Sequence, residues 1–140
     1  MRRRLVSRVL LFSLATLAIA GCSKTDTPTT PTQPTPTPVN ETFTGTLTLN
    51  GALTFPFVSS QAGLLTGTMT AVGPDATSVV GLAVGTFTGA TCQIVLANDI
   101  AGLNSVITGQ VNASGTLCAR VYDVGKISAP VTFAILISHF

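Results

Sequence analysis

The chain has 140 residues, of which 46% are hydrophobic and only 9% charged, with a formal net charge of +2 and no tryptophan. Four of the seven basic residues, Arg2, Arg3, Arg4 and Arg8, precede residue 9; beyond residue 21, Lys24, Arg120 and Lys126 face Asp26, Glu41, Asp75, Asp99 and Asp123. The excess of basic charge therefore belongs to the first segment and is no footprint of nucleic-acid or anionic-surface binding.

In chain order, the basic start is followed by an apolar run from Val9 to Ala20, the n-region and short h-region of an export signal. The run falls short of the roughly 20 apolar residues that span a bilayer. Leu17-Ala18-Ile19-Ala20-Gly21-Cys22 resembles a bacterial lipobox. That resemblance implies cleavage before Cys22, which then carries acyl chains of the palmitate class on its sulfur and its amino group. Each buried methylene contributes about 0.8 kcal/mol, and two chains hold where one is marginal. Ser23, not an acidic residue, follows the cysteine, which by similarity to Gram-negative lipoprotein sorting implies the outer membrane. The competing reading is an ordinary secretory signal that leaves Cys22 as a thiol. The expected layout is a signal peptide over 1–21, a lipidated cysteine with its tether over 22–40, and a domain over 41–140.

Pro28, Pro31, Pro34, Pro36 and Pro38 punctuate a Thr-rich stretch with almost no apolar residue. Such a segment cannot bury a core; it predicts an extended, polyproline-like tether of ~3.1 Å per residue, reaching roughly 50 Å.

After Asn40 the period becomes two. Phe43, Gly45, Leu47 and Leu49 alternate with Thr42, Thr44, Thr46 and Thr48, the pattern of a half-buried strand. Asn50-Gly51 predicts a type I′ hairpin, with Leu53, Phe55 and Phe57 continuing the apolar face on the return. Pro56 donates no amide, so that return strand is expected at a sheet edge or with its Pro facing away from the ladder. Further strands are expected over 64–72, 78–86, 92–96, 105–111, 117–124 and 131–138, divided by Gly73-Pro74-Asp75, Gly89, Asn98-Asp99, Asn112 to Gly115 and Gly125-Lys126. Seven or eight strands in about 100 residues predict one all-β antiparallel sandwich. Leu117, Ala119, Val121, Val131, Phe133, Ile135 and Ile137 are its expected core.

Assigning Cys22 to lipid leaves Cys92 and Cys118. In an oxidising compartment these pair by default, closing a loop of about 27 residues and contributing on the order of 3 kcal/mol. Two thiols without a third Cys or a nearby His cannot complete a zinc shell.

Ala113-Ser114-Gly115-Thr116-Leu117-Cys118-Ala119-Arg120-Val121-Tyr122-Asp123, followed by Pro130-Val131-Thr132-Phe133, resembles the end of a bacterial pre-peptidase C-terminal domain. Phe55-Pro56-Phe57 and Gln61-Ala62-Gly63 are similar to that family's second and third strands. Leu117 stands where the family has an aromatic residue, and no peptidase domain precedes the module. The resemblance implies a jelly-roll-like β-sandwich that accompanies secretion or localisation, or binds protein or polysaccharide.

For catalysis the residues are sparse. A nucleophile needs a base and an orienting partner, and the only histidine is His139. Asp75, Asp99 and Asp123 supply carboxylates for acid–base hydrolysis, yet all three fall in expected turns, where Asp holds its own backbone. Calcium takes six to eight oxygen ligands; Asn98 and Asp99 are the weak local candidates, without EF-hand spacing. Arg120 and Tyr122, in phase with Cys118, are candidates for a binding face, against the commoner expectation that such residues cover the outside of a sheet, the Arg stem packed along its neighbours. The residues thus point to a non-enzymatic, lipid-anchored envelope protein without a cofactor. Its β-sandwich either binds protein or polysaccharide, through loops or through its Thr-rich face, or serves as a structural accessory without a discrete ligand, or is a calcium-binding accessory domain of a secreted system.

Overall fold

The computed structural model describes residues 34–140. The export signal, Cys22 and the tether as far as residue 33 lie outside the described residues. Eight strands follow in chain order: β1 (Val39–Leu47), β2 (Ala52–Ser59), β3 (Gly63–Gly73), β4 (Val80–Phe87), β5 (Cys92–Ala101), β6 (Val106–Val111), β7 (Gly115–Tyr122) and β8 (Val131–His139). They form two four-stranded antiparallel sheets, one in the order β1-β8-β3-β6 and the other in the order β2-β7-β4-β5.

Strand 1 pairs with 8, 2 with 7, 3 with 6 and 4 with 5. The chain is thus one long antiparallel ribbon rolled into two facing sheets, the connectivity of a jelly roll. Period-two patterning enforces this arrangement, because each strand has one face that must leave water. From β8, Val131, Phe133, Ile135 and Ile137 meet Leu82, Val84, Ala119 and Val121 of the opposite sheet in one buried core with Leu47, Met69 and Phe57. Each large aliphatic or aromatic side chain buried there contributes roughly 1.5–3 kcal/mol of transfer free energy. Phe43 and Phe55 stack at 5.2 Å between centroids, and Phe55 meets Phe133 edge-on at 6.0 Å, closing the β1/β2 side.

The expected β1–β2 hairpin does not form. The two strands lie in different sheets, and Thr48 to Gly51 make a turn in which the Gly51 amide donates to the Thr48 carbonyl at 2.9 Å. Only Asn50 takes the left-handed conformation, at φ 54°, whereas a type I′ hairpin needs two such residues. Leu49 points outward as a consequence and is 49% exposed. The chain gains more by sending β2 across to cover the core than by pairing it back on β1. Pro56 does lie on an edge, since β2 ends its sheet. Asn98 and Asp99 are not a turn either; they belong to β5, which runs on to Ala101.

Candidate functional site

The outer face of the β1-β8-β3-β6 sheet carries aligned hydroxyls. Thr46 stands opposite Thr132, Thr44 opposite Ala134, and Thr42 opposite Leu136, which on its other side faces Thr68. Thr66 lies between Ser138 and Thr108. Exposed Leu64 and Val106 extend the surface. Within these four strands the only ionisable side chains are Glu41 and His139, and they bond each other at 2.9 Å. Both fall in the core-facing phase, His139 with Ile137 and Glu41 opposite Ile137, so the outer face is uncharged and offers methyl and hydroxyl groups together, as β-branched Thr does on any pleated surface.

On the opposite side, where the β5 and β6 edges face each other, a cleft of about 460 Å³ opens between the sheets. Its walls include Leu65, Val84, Val111 and Leu117, and its mouth includes Val95 and Leu96. A β-bulge shapes that mouth: Val84 pairs with Leu96 and Gly85 with Ile94, so Val95 is the extra residue. One inserted residue turns two consecutive side chains toward the same side, which places both Val95 and Leu96 on the cleft. Leu96 reaches across to β6, where a Cβ added to Gly109 would fall 2.7 Å from its Cδ1. Strand β5 is thus an edge with exposed Ile94, Val95, Leu96 and Ile100.

The outer face of the β2-β7-β4-β5 sheet is built on small residues of β4. Tyr122 stands opposite Gly81, and its ring lies where a Gly81 Cβ would be. The Tyr122 hydroxyl donates to Asp99 Oδ1 across β4, while the Arg120 guanidinium sits 6.0 Å from the Tyr122 ring centroid. Arg120 Nε is buried without a partner among the described residues. Burial first, then the hydrogen bond and negative charge of Asp99, push the Tyr122 phenol up to about 12, opposed by the Arg120 charge. A folded value above the ordinary ~10 means this stabilisation is complete below pH ~10 and is lost as pH rises through about 12. Tyr122 is the only tyrosine, so the near-ultraviolet tyrosinate band reports it alone. We expect its midpoint near 12 in the wild type and part of the way back to ~10 in Asp99→Asn, because burial remains. An unchanged midpoint in Asp99→Asn would contradict the contact.

The same face carries the disulfide. Cys92 and Cys118 are bonded with Cα atoms 5.8 Å apart, and Cys118 is fully buried. The bond joins β5 to β7 although β4 lies between them, and beside it the β5 backbone at Gln93 lies close over Gly85 of β4.

The carboxylates foreseen as chemistry are occupied by structure. Asp75 Oδ1 accepts from the Thr77 amide and hydroxyl, both at 2.8 Å, which holds its carboxyl below the ordinary range. Asp123 accepts from the amides of Asn50, Gly125 and Lys126, tying the β1–β2 turn to the β7–β8 loop; the Asn50 amide is the main cause of its lowered value. Asn98 Oδ1 accepts from the Ile100 amide at 3.0 Å. The calcium candidates Asp99 and Asn98 therefore spend oxygens on Tyr122 and on the backbone. Among the described residues, no three His, Cys, Asp or Glu side chains converge as a metal group.

Sequence spacing gave no sign that His139 meets Glu41, 98 residues away, or that Ser59 lies at the same end of the sandwich. His139 is 2% and Ser59 1% exposed. A Ser, His and Glu gathered this way invite comparison with a catalytic triad, but the connections differ. The Ser59 hydroxyl donates to the carbonyls of Phe140 at 2.7 Å and Gln61 at 3.0 Å, and the free nitrogen of His139 faces the Phe140 carbonyl at 3.4 Å. Ser59 and His139 share no hydrogen bond, unlike the nucleophile and base of a triad. The group instead fastens the end of β8 to β1 and β2.

No family model and no curated protein matches the chain. Among solved structures, the mitogen derived from Yersinia pseudotuberculosis aligns with a TM-score of 0.55 at 13% identity, over 74% of this chain and 88% of that one. PliG of Aeromonas hydrophila, a periplasmic lysozyme inhibitor of g-type lysozyme, aligns with a TM-score of 0.52 at 19% identity, over 71% and 84%. At these identities the likeness is one of fold.

Proposed function

We propose that this chain is a lipid-anchored protein of the bacterial envelope, at the outer membrane, whose jelly roll is a non-catalytic module for binding or adhesion. Cys22 supplies the anchor and the Pro/Thr stretch the spacer. The observation that carries the binding role is the uncharged Thr-lined outer face of the β1-β8-β3-β6 sheet, the two ionisable groups of its strands lying in the opposite, core-facing phase and bonded to each other. Such a face repels nothing by charge and offers hydroxyls to a neutral polymer, a polysaccharide or an uncharged stretch of protein. The two proteins of similar fold, a mitogen and a lysozyme inhibitor, support a role without catalysis. The resemblance of residues 113–133 to the pre-peptidase C-terminal family supports the same role.

Two measurements test this reading. The intact mass of the protein taken from membranes is expected to fit residues 22 to 140 plus acyl chains, and an unmodified Cys22 would remove the anchor. Binding to isolated envelope polysaccharide and to envelope protein is expected to drop at least about tenfold in Thr44→Lys/Thr68→Lys, with thermal unfolding nearly unchanged because both sites lie on the outer face. Equal binding by the double variant would remove the face from the reading.

A further inference from the structure

We infer that the cleft between β5 and β6 is a site for one acyl chain of a glycerolipid, held as its neutral ester. This goes beyond the binding face and uses the envelope reading only for the source of the lipid.

Three observations carry it. The cleft measures about 460 Å³, within the ~300–1,000 Å³ of small-ligand sites, and its walls come from both sheets through Leu65, Val84, Val111 and Leu117. No charged side chain lines it; its polar lining side chains are the neutral ones of Thr86, Gln110, Asn112, Ser114 and Thr116. A free fatty acid would bring a carboxylate to a rim without a cation, whereas an ester brings a carbonyl that amide and hydroxyl donors can meet. Finally, the bulge at Val95 breaks the regular ladder along the β5 edge. An extended peptide adding to that edge depends on a regular row of backbone groups, while a hydrocarbon chain needs only the apolar side chains that the bulge turns inward. The edge that a peptide reads poorly is the one that presents Val95, 70% exposed, to an apolar ligand.

The test uses the exported protein carrying Cys22→Ser, so that no acyl chain of its own competes. Monopalmitoylglycerol, below its aggregation concentration, is titrated against a bound fluorescent acyl probe and by calorimetry. Saturable displacement at one site per chain is expected, with palmitate at neutral pH at least about tenfold weaker. Val95→Glu, which places a charge at the mouth, and Thr86→Trp, at an exposed lining position in phase with Val84 and opposite Leu117, are each expected to weaken binding at least about tenfold. Leu49→Glu, exposed on the β1–β2 turn and outside the cleft lining, is expected to bind as the wild type does, and unchanged thermal unfolding shows that the variants are folded. Absence of saturable displacement, palmitate binding as tight as the ester, or wild-type affinity in Val95→Glu would each overturn the assignment. Because the protein tested is unlipidated and its Thr face untouched, failure here leaves the anchor and the binding face standing. An unacylated native Cys22, conversely, would leave the measured affinity of the cleft unaltered.

Discussion

Reduction of Cys92–Cys118, or Cys92→Ser, should lower the unfolding free energy by between ~3 and ~4 kcal/mol. The bond spans 26 residues of sequence, and in the chain-entropy account a loop of that length restricts the unfolded chain by about this much. A domain of this size has a net stability of only ~5–15 kcal/mol, so its melting temperature should fall by roughly 12–30 °C. Cys118→Ser should cost more than Cys92→Ser. Cys118 is fully buried beneath the outer face, and there a serine hydroxyl loses water without a partner, at about 1–3 kcal/mol. Cys92→Ser instead leaves Cys118 as a buried thiol that behaves as a small apolar group. Urea unfolding of the two variants, beside the wild type with and without reductant, measures each difference. Equal stability of oxidised and reduced protein would show that the loop is already held by the sheets.

The strands, the core face of β8, the edge position of Pro56 and the cysteine pair were legible because each follows from a local rule: period two, a missing amide, two cysteines left once Cys22 is set aside. Sheet membership was not. Asn50-Gly51 between two alternating runs reads as a hairpin, and only the gain from covering the core with β2 sends the chain across to the other sheet. Asn98-Asp99 reads as a turn because both side chains favour one. In the fold Asn98 satisfies its own backbone at Ile100 while Asp99 faces Tyr122, so polar residues that elsewhere end a strand here decorate an edge. The pairing of His139 with Glu41 was invisible for a related reason. It depends on the last strand lying beside the first, which no local pattern announces. The cleft depends on one inserted residue in β5, and no spacing along the sequence reveals which residue lacks a partner.

Gly85→Ala should destabilise the oxidised protein by about 3 kcal/mol or more, the upper end of overpacking costs, although it adds a single methyl. At the bulge the β5 backbone folds over the outer face of β4, so a Cβ on Gly85 would overlap the carbonyl oxygen of Gln93. A side chain in the way can rotate; a backbone oxygen moves only with its strand. That strand is held by its pairing to β4 and by the disulfide at Cys92. Gly115→Ala is the matched control: nothing lies within 4 Å of its added Cβ, and the change should stay within ~0.5 kcal/mol. Both variants are measured by urea unfolding without reductant. Because the disulfide and Gly85 act on the same paired stretch, Gly85 to Phe87 of β4 and Cys92 to Ile94 of β5, their effects should not add. In Cys92→Ser the start of β5 is free to lift away, and Gly85→Ala should then cost less by at least ~0.5 kcal/mol, the coupling expected of contacting sites. Full additivity would mean that the strand pairing alone fixes the bulge, and that the disulfide merely caps it.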